Sequence, residues 1–343
     1  MKKNFIKSWW QNLIYDPNDP RLLAGGDIKI AVIGGGTGLS VLLSGLKKYS
    51  NSISAIVAVT DDGSSTGVIR KEFDILPPGD IRKCISALAY DEEIMSEILE
   101  FRFPSKNNSL SNHTLGNIWI AALTKHFGSF ERAVEVTSII FRTAGAILPA
   151  TLDNIEIGAI YSDGKKILGE SKIPKAGKKI ESIFLNRKNV RAYTKTVSAL
   201  DQADLIIIGP GSLYTSVIPN LLITGIRKAI KNNKSALKMY IANCSTERGE
   251  TEGYSVADHI KAINNHAGFK IFDYCLANNN IVKKTRNISR LGEVYNITAI
   301  EDEIEGCKII KADLVNEKKP LYHDKDKLAK EIIKLYNRIK SKR

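Results

Sequence analysis

A run of glycines, Gly34-Gly35-Gly36-Thr37-Gly38, lies directly after an apolar segment and directly before a segment with helical periodicity. Glycines let the backbone turn sharply and bring its N–H groups close to an anion, and the start of a helix adds a favourable potential. The run departs from the dinucleotide fingerprint because Leu39 takes the place of the third glycine, and no Walker-type Gly-Lys-Ser/Thr follows. A plain tight turn is the alternative to a phosphate or nucleotide site. The ligand contacts that this run predicts are Gly35, Gly36, Thr37 and Gly38.

A pair of aspartates, Asp61 and Asp62, follows the second apolar run of the chain. An acidic residue roughly twenty positions past a glycine run commonly binds a ribose hydroxyl. Paired carboxylates can instead hold Mg²⁺ beside a phosphate, because this hard cation prefers oxygen ligands. The alternative is an Asp-Gly turn in which Ser64 and Ser65 cap the next helix. We predict that these four residues contact a ligand, and the choice between sugar and Mg²⁺ binding stays open.

A second glycine loop, Gly209-Pro210-Gly211-Ser212, follows an apolar run typical of a buried parallel strand. Its amides and hydroxyls can hold a diphosphate, and Tyr214 can stack on a base or a sugar. Another apolar run ends at Ala242 and leads into a polar tract. Because the carboxyl ends of parallel strands meet at one edge of a sheet, these loops are expected to converge on one ligand. The contacts predicted here are Gly209, Gly211, Ser212, Tyr214, Thr215, Asn220, Asn243, Thr246 and Glu250.

Two further motifs lie between the glycine loops. Asp80 and Arg82 are placed to begin a helix and to contact an anionic ligand, with an N-cap aspartate beside a solvated arginine as the alternative. His113, followed by Asn117, can transfer a proton or donate to a phosphate, unless it only caps a helix. All four are predicted ligand contacts. The candidate catalytic groups of the chain are Asp61, Asp62 and His113.

The elements that must position these residues follow a βαβ pattern. Apolar runs at 28–33, 53–60, 204–208, 238–242 and 270–276 predict parallel strands, and helical periods separate several of them. The stretch from Gly79 to about Phe141 reads as mostly helical, and Lys166–Ile173 as a strand. The pattern therefore predicts one α/β domain with its loops at one sheet edge.

The bulk composition is that of a globular protein, with 343 residues of which 43% are hydrophobic and 25% charged. The four cysteines form no CxxC pair, which argues against a zinc site and a disulfide framework. A net charge of +13 favours acidic ligands, nucleic acid or an anionic membrane surface without choosing among them, and a basic solubility surface is the preferred interpretation. No nucleic-acid-binding signature accompanies this charge, so nucleic acid is not a predicted partner. No apolar run reaches the ~20 residues of a membrane span, and a cytoplasmic location is expected.

Residues 1–27 form a separate, amphipathic N-terminal extension. Its apolar residues recur at helical spacing between polar and basic ones and are Phe5, Ile6, Trp9, Trp10, Leu13 and Ile14. The preferred interpretation is a helix that folds back onto its own domain or onto a partner subunit. The alternative is that residues 1–15 contact a membrane interface.

Together these motifs resemble the YvcK-like gluconeogenesis-factor branch of the CofD-like superfamily, which also contains 2-phospho-L-lactate transferase. The resemblance covers 28–343 and implies a Rossmann-like doubly wound, mostly parallel sheet with a largely helical insertion at about 79–150. It also implies a cytoplasmic homo-oligomer that binds UDP-sugars such as UDP-N-acetylglucosamine. Such a factor is required for normal cell shape and for growth on gluconeogenic carbon sources. The branch brings no established reaction, so enzyme status stays open.

Several positions depart from the usual pattern of that branch. Ser64 and Val68 stand where glycine and arginine are usual, and Glu247-Arg248 replaces Gln-Pro. Tyr322 stands where an arginine is expected before His-Asp. These changes affect the expected ligand contacts and not the expected fold.

Four functions follow as hypotheses. The first is a regulator that binds a UDP-sugar, and the second is a Mg²⁺-dependent transferase that forms a phosphodiester. The third, an NAD-dependent oxidoreductase, is weakened by the missing third glycine. The fourth, nucleic-acid binding, rests on charge alone.

Overall fold

Short apolar runs form the strands of the protein, for which a computed structural model describes residues 28–104, 109–280, 296–297 and 299–342. All residues of the first strand are buried, as expected for a strand covered on both faces. In chain order the strands are β1 (Ile30–Gly34), β2 (Ile53–Val57), β3 (Gly145–Pro149), β4 (Ile157–Tyr161), β5 (Lys166–Leu168), β6 (Ile180–Leu185), β7 (Leu205–Ile208), β8 (Leu237–Ile241), β9 (Tyr274–Asn278), β10 (Glu303–Ile304), β11 (Cys307–Ala312), β12 (Val315–Asn316) and β13 (Lys319–His323).

The central sheet has eight strands in the order β10-β11-β9-β8-β7-β1-β2-β3. Its pairs are parallel except for the edge pair β10–β11, which is antiparallel. The chain builds outward from β1 to β3 on one side and then returns to β7 on the other. The order of strands therefore reverses between β1 and β7, and such a reversal opens a crevice at the carboxyl ends of the two strands. The prediction of a doubly wound, mostly parallel sheet is confirmed.

Helices connect these strands and cover both faces of the sheet. They are α1 (Gly36–Leu46), α2 (Ser64–Phe73), α3 (Gly79–Leu88), α4 (Glu92–Glu100), α5 (Leu115–Phe127), α6 (Phe130–Ile140), α7 (Thr194–Gln202), α8 (Ile218–Leu221), α9 (Thr224–Asn232), α10 (Val256–Ala267) and α11 (Lys325–Lys340). The region from α3 to α6 is largely helical, as its periodicity predicted.

The small three-stranded sheet β5-β4-β6 differs from the prediction in one segment. The predicted strand at 166–173 ends at Leu168, and two turns of 3₁₀ helix, Glu170–Lys172 and Pro174–Ala176, replace its second half. Gly169, which follows β5 directly, has a positive φ of 109° that favours glycine and takes the chain out of the extended conformation, so pairing stops there. The prediction missed α7, whose first residues are Thr-Lys-Thr-Val, because β-branched residues give a weak helix signal.

The C-terminal half of α1 packs against α11. A Cβ on Gly45 of α1 would lie 2.1 Å from the carbonyl oxygen of Lys325, so only glycine allows the two helices to approach this closely. Leu328, Ala329 and Ile332 of α11 join the core cluster that contains Leu42 of α1. This packing fixes the helix whose first turn faces the sheet crevice.

Within the described residues, no helix combines the length and the hydropathy that crossing a bilayer requires. The four cysteines, Cys84, Cys244, Cys275 and Cys307, are free and buried. The predicted amphipathic extension, 1–27, lies outside the described residues. Its two alternative roles and the division into an extension and one domain stay predictions.

Candidate functional site

The two glycine loops meet at the crevice between β1 and β7. A Cβ on Gly38 would lie 2.9 Å from the carbonyl oxygen of Pro210, and one on Gly211 would lie 3.0 Å from that of Gly35. Both distances are shorter than an ordinary carbon–oxygen contact. The loops therefore touch backbone to backbone, and the two predicted phosphate-binding segments form one site.

The first turn of α1 supplies the amides that can bind an anion. N–H groups of a first turn have no acceptor inside their own helix, so those of Thr37 and Gly38 are available to a ligand. The amide of Gly36 differs, since it donates to Oδ2 of Asp80 at 2.7 Å. Asp80 lies in the first turn of α3 and also pairs with Lys83 at 3.0 Å. An anion is thus expected on the Thr37–Gly38 side of the loop.

A cavity of about 370 Å³ opens over this turn. That volume lies within the range of small-molecule and cofactor pockets, about 300–1,000 Å³. The predicted residues that line it are Gly35, Gly36, Thr37, Gly38, Gly211, Ser212, Asn243 and Thr246. The lining residues that were not predicted as contacts are Val41, Pro210, Cys244, Ser245, Glu247, Arg248, Leu321, Tyr322 and His323.

Two asparagines hold the second glycine loop. Gly211 donates its amide to Oδ1 of Asn243 at 3.1 Å, and Nδ2 of Asn243 donates to the Gly211 carbonyl at 2.9 Å. This reciprocal pair ties the loop to the end of β8. Asn220 is fully buried and donates to the carbonyl of Ser216 at 2.8 Å, so it braces the loop from the core and does not line the cavity.

Behind the loop, Glu250 binds two groups that follow Ser212. Its carboxylate accepts from the amide of Tyr214 at 3.1 Å and from the hydroxyl of Thr215 at 2.9 Å. Burial raises the pKa of Glu250 to about 8, and the nearby charge of Glu247 acts in the same direction. Tyr214 is 2% exposed and shares a 2.8 Å hydrogen bond with Tyr254. The structure therefore places Tyr214, Thr215 and Glu250 in the support of the loop.

The two aspartates after β2 point to different partners. Asp61 accepts from the amide of Gly63 at 2.8 Å, whereas Asp62 accepts from the amide of Ser171 at 2.8 Å. Burial raises the pKa of Asp61, and the negative charge of Asp80 raises it further. A buried carboxylate whose pKa is raised by a second carboxylate nearby marks a position where a cation is electrostatically favourable. That position lies between Asp61 and Asp80.

In the described ranges, no three or more His, Cys, Asp or Glu side chains are grouped as metal ligands. Mg²⁺ is commonly bound by one or two carboxylates together with substrate phosphates and water. The carboxylates of Asp61 and Asp80 fit that mode, and they would hold the ion and so offset the charge of a phosphate. Sequence reasoning had paired Asp61 with Asp62, because adjacent residues are the only pairing that a sequence displays.

Glu170 is a further carboxylate of this region that sequence reasoning missed. Its Oε2 accepts from the hydroxyl of Thr60 at 2.5 Å. Burial raises the pKa of Glu170 well above its usual value, and the charge of Asp61 adds to this effect. The residue lies in the 3₁₀ segment after β5, where a strand was expected, and no local signal pointed to it.

Five other predicted residues, on or near α2, α3 and the start of α5, lie outside the cavity lining. Nδ2 of Asn117 donates to Oγ of Ser65 at 3.2 Å, and Ser65 lies 3.0 Å from Nδ1 of His113. Arg82 pairs with Glu100 at 2.9 Å and donates to the carbonyl of Leu99. The guanidinium is thus directed toward α4. Ser64 adopts a left-handed φ of 42° at the first position of α2.

Further lining residues of the cavity come from the segment after β8 and from β13. Arg248 is exposed and is the single lysine or arginine among the described residues that line the cavity. His323 is 6% exposed, and a ring N–H donates to the carbonyl of Ala242. Burial lowers the pKa of His323 to about 4, so this imidazole is neutral at physiological pH. Ser212 donates to Glu247, whose pKa is raised by burial.

Comparison with known proteins identifies one family. The family model described as "2-phospho-L-lactate transferase CofD" matches residues 30–315. The "Gluconeogenesis factor" of Bacillus subtilis is 40% identical over 313 residues, which cover 90% of this chain and 98% of the relative. The protein of the same name from Halalkalibacterium halodurans is 46% identical over 256 residues, covering 75% of this chain and 79% of the relative.

A solved structure has the same fold. A crystal structure of a Bacillus halodurans protein superposes with a TM-score of 0.85 at 41% identity, and the match covers 90% of this chain and all of that one. The family match spans both glycine loops and the aspartate pair. The chain therefore belongs to the CofD family, among the relatives named gluconeogenesis factors.

Proposed function

We propose that this protein is a cytoplasmic regulatory factor that binds a UDP-sugar and is needed for growth and normal cell shape on gluconeogenic carbon sources. The observation that carries the proposal is the meeting of two glycine loops at the β1–β7 crevice. There the free amides of Thr37 and Gly38 face a cavity of about 370 Å³. Amides at a helix start suit the diphosphate of such a ligand, and the polar walls suit its sugars.

Titration calorimetry with UDP-N-acetylglucosamine, UDP and GDP tests which nucleotide the protein binds. We expect saturable binding of the two uridine nucleotides with micromolar dissociation constants. A folded protein that releases no heat with either of them contradicts the proposal. In cells, loss of the gene is expected to impair growth on gluconeogenic carbon while growth on glucose is preserved, and normal growth on both contradicts the physiological part.

Arg248, the positively charged side chain that lines the cavity, gives a separate prediction. Changing Arg248 to alanine is expected to weaken UDP binding about tenfold, since hydrogen bonds to charged groups contribute about 1.5–3 kcal/mol. Raising the salt concentration should weaken wild-type binding more than that of the variant, because an exposed ion pair is screened. Arg338 is exposed on α11 outside the cavity, so Arg338→Ala is the matched control and should bind as wild type does. Equal UDP affinities of the wild type, Arg248→Ala and Arg338→Ala would show that Arg248 does not contact the ligand.

The second candidate is a Mg²⁺-dependent transferase that joins a phosphate-bearing group to a hydroxyl. It is favoured by the approach of Asp61 and Asp80, two carboxylates beside the loop that would hold the phosphates. Sequence alone singled out Asp61, Asp62 and His113 for catalysis. Of these, Asp61 has the position that suits a cation.

If this candidate holds, Mg²⁺ should strengthen UDP binding by about tenfold in the wild type and leave Asp61→Asn unaffected. Asp62→Asn is the comparison, because its carboxylate is bound to the Ser171 amide and should matter little for Mg²⁺. Calorimetry in a buffer with Mg²⁺ and in a buffer with EDTA measures the UDP affinity of the wild type and of the two variants. Identical wild-type affinities in the two buffers count against the transferase and leave the regulator in place.

Self-association belongs to the proposal as well. Ile94, Ile98 and Phe101 lie at helical spacing along α4 and its end, and each is at least 42% exposed. Such an exposed apolar stripe suits contact with a second copy. Light scattering on the purified protein is expected to give the mass of an oligomer, and Ile98→Glu to shift it toward the monomer. A monomer at high concentration would contradict this part.

A further inference from the structure

The cavity has an aromatic side chain at its rim that is not the one expected from sequence. Tyr214, which follows the second glycine loop, is 2% exposed and belongs to the core. Tyr322 of β13 lines the cavity and is 47% exposed, which is a high exposure for an aromatic side chain in a folded protein. The face of this ring is therefore available to a ligand.

The backbone on both sides of Tyr322 is held. The carbonyl of Leu321 accepts from the hydroxyl of Ser245 at 3.3 Å. On the other side, His323 is buried and its ring donates to the carbonyl of Ala242. The amide of Ala242 is already bound to Leu276 at 3.1 Å, so the carbonyl is the group that receives the imidazole N–H. A ring carried by a segment fixed at both neighbours costs little entropy to order on binding.

The lining of the cavity combines two kinds of chemistry. The first turn of α1 supplies the amides of Thr37 and Gly38, which suit phosphate, and β13 supplies Leu321 and Tyr322, which suit a flat apolar group. A nucleoside diphosphate has these same two parts. The cavity residues include no other phenylalanine, tyrosine or tryptophan among the described part of the chain.

We propose that Tyr322 is the stacking platform for the nucleobase and so the residue that selects a nucleoside diphosphate over an inorganic diphosphate. The inference rests on the proposed function, because it assigns one part of the same ligand. It separates the two parts of that ligand, since the glycine loops hold the phosphates and Tyr322 holds the base.

Calorimetry with two probes, UDP and inorganic pyrophosphate, tests the assignment. Tyr322→Ala is expected to weaken UDP binding by about fivefold to a hundredfold, the range of a base–aromatic contact, and to leave pyrophosphate binding unchanged. Tyr322→Phe keeps the ring and should bind UDP as the wild type does. Tyr322→Leu should resemble the alanine variant. Tyr90, which is 58% exposed and lies outside the cavity, supplies the control Tyr90→Ala.

The outcomes are distinct. A wild type that prefers UDP to pyrophosphate, with the preference lost in Tyr322→Ala, supports the inference. An unchanged preference in Tyr322→Ala overturns it and leaves the proposed nucleotide site standing. A wild type that binds UDP and pyrophosphate equally well overturns the inference alone, whereas a folded wild type that binds neither overturns both. Equal thermal midpoints of the variants show that the exposed ring was removed without unfolding the chain.

Discussion

Replacing Gly38 by alanine is expected to weaken UDP binding by at least about a hundredfold. The added Cβ would lie 2.9 Å from the Pro210 carbonyl oxygen and 3.1 Å from the Gly211 amide nitrogen, and both are backbone atoms that cannot rotate away. The two glycine loops must then separate, and the amides of Thr37 and Gly38 are no longer directed at the phosphates of the ligand. Two charge-assisted hydrogen bonds at about 1.5–3 kcal/mol each correspond to a hundredfold or more.

Calorimetry measures this loss, and circular dichroism shows whether the fold is kept. Gly164→Ala is a useful control, because Gly164 has a left-handed φ of 79° with open space around it. That substitution should lower stability by about 1 kcal/mol and leave binding intact. Wild-type affinity in Gly38→Ala would show that the close approach of the loops does not hold the ligand.

Glu250→Gln is expected to make the protein more stable than the wild type at pH 8 and about equally stable at pH 5. Burial raises the pKa of Glu250 from 4.5 to about 8 in the folded state. Between these two values the folded protein retains a proton that the unfolded chain has released. The free energy of unfolding of the wild type therefore falls as the pH rises from about 4.5 to 8.

The size of the effect is on the order of 2–4 kcal/mol at pH 8. Glutamine reproduces the neutral acid, because its oxygen accepts from the Tyr214 amide and its NH₂ group donates to Thr215. Urea unfolding of the wild type and of Glu250→Gln at pH 5, 6, 7 and 8 measures the difference in the free energy of unfolding. The difference between the two curves isolates Glu250, since burial lowers the pKa of His323 and of His259 and so acts in the opposite direction below about pH 6.5. Parallel curves would show that Glu250 is ionised in the folded protein.

Much of this site could be predicted because its determinants are local. Gly35 to Gly38 follow an apolar run and precede a helical period, and that context alone indicates a loop at the carboxyl end of a strand. Parallel strands then place Gly38 and Gly211 at one edge of the sheet, since the carboxyl ends of strands that run in the same direction lie on the same side. The contact between the two loops confirms that expectation.

The residues that support the loops were harder to predict from the sequence. Tyr214 and Glu250 were expected to touch the ligand because they follow the second loop and the third apolar run. The structure turns both toward the core, where a buried carboxylate binds the amide of Tyr214. A sequence gives the distance of a residue from a glycine along the chain, and it does not give the direction of the side chain.

The sequence by itself determined the βαβ pattern of parallel strands and the two glycine loops, because apolar periodicity and glycine act on neighbouring residues. Only the tertiary structure decided which side chains complete the site. Asp80 approaches Asp61, Glu170 enters beside them, and Tyr322 reaches the rim, each from a segment far away in the chain. Their positions depend on how distant elements pack, and packing is set by the whole core rather than by any local pattern.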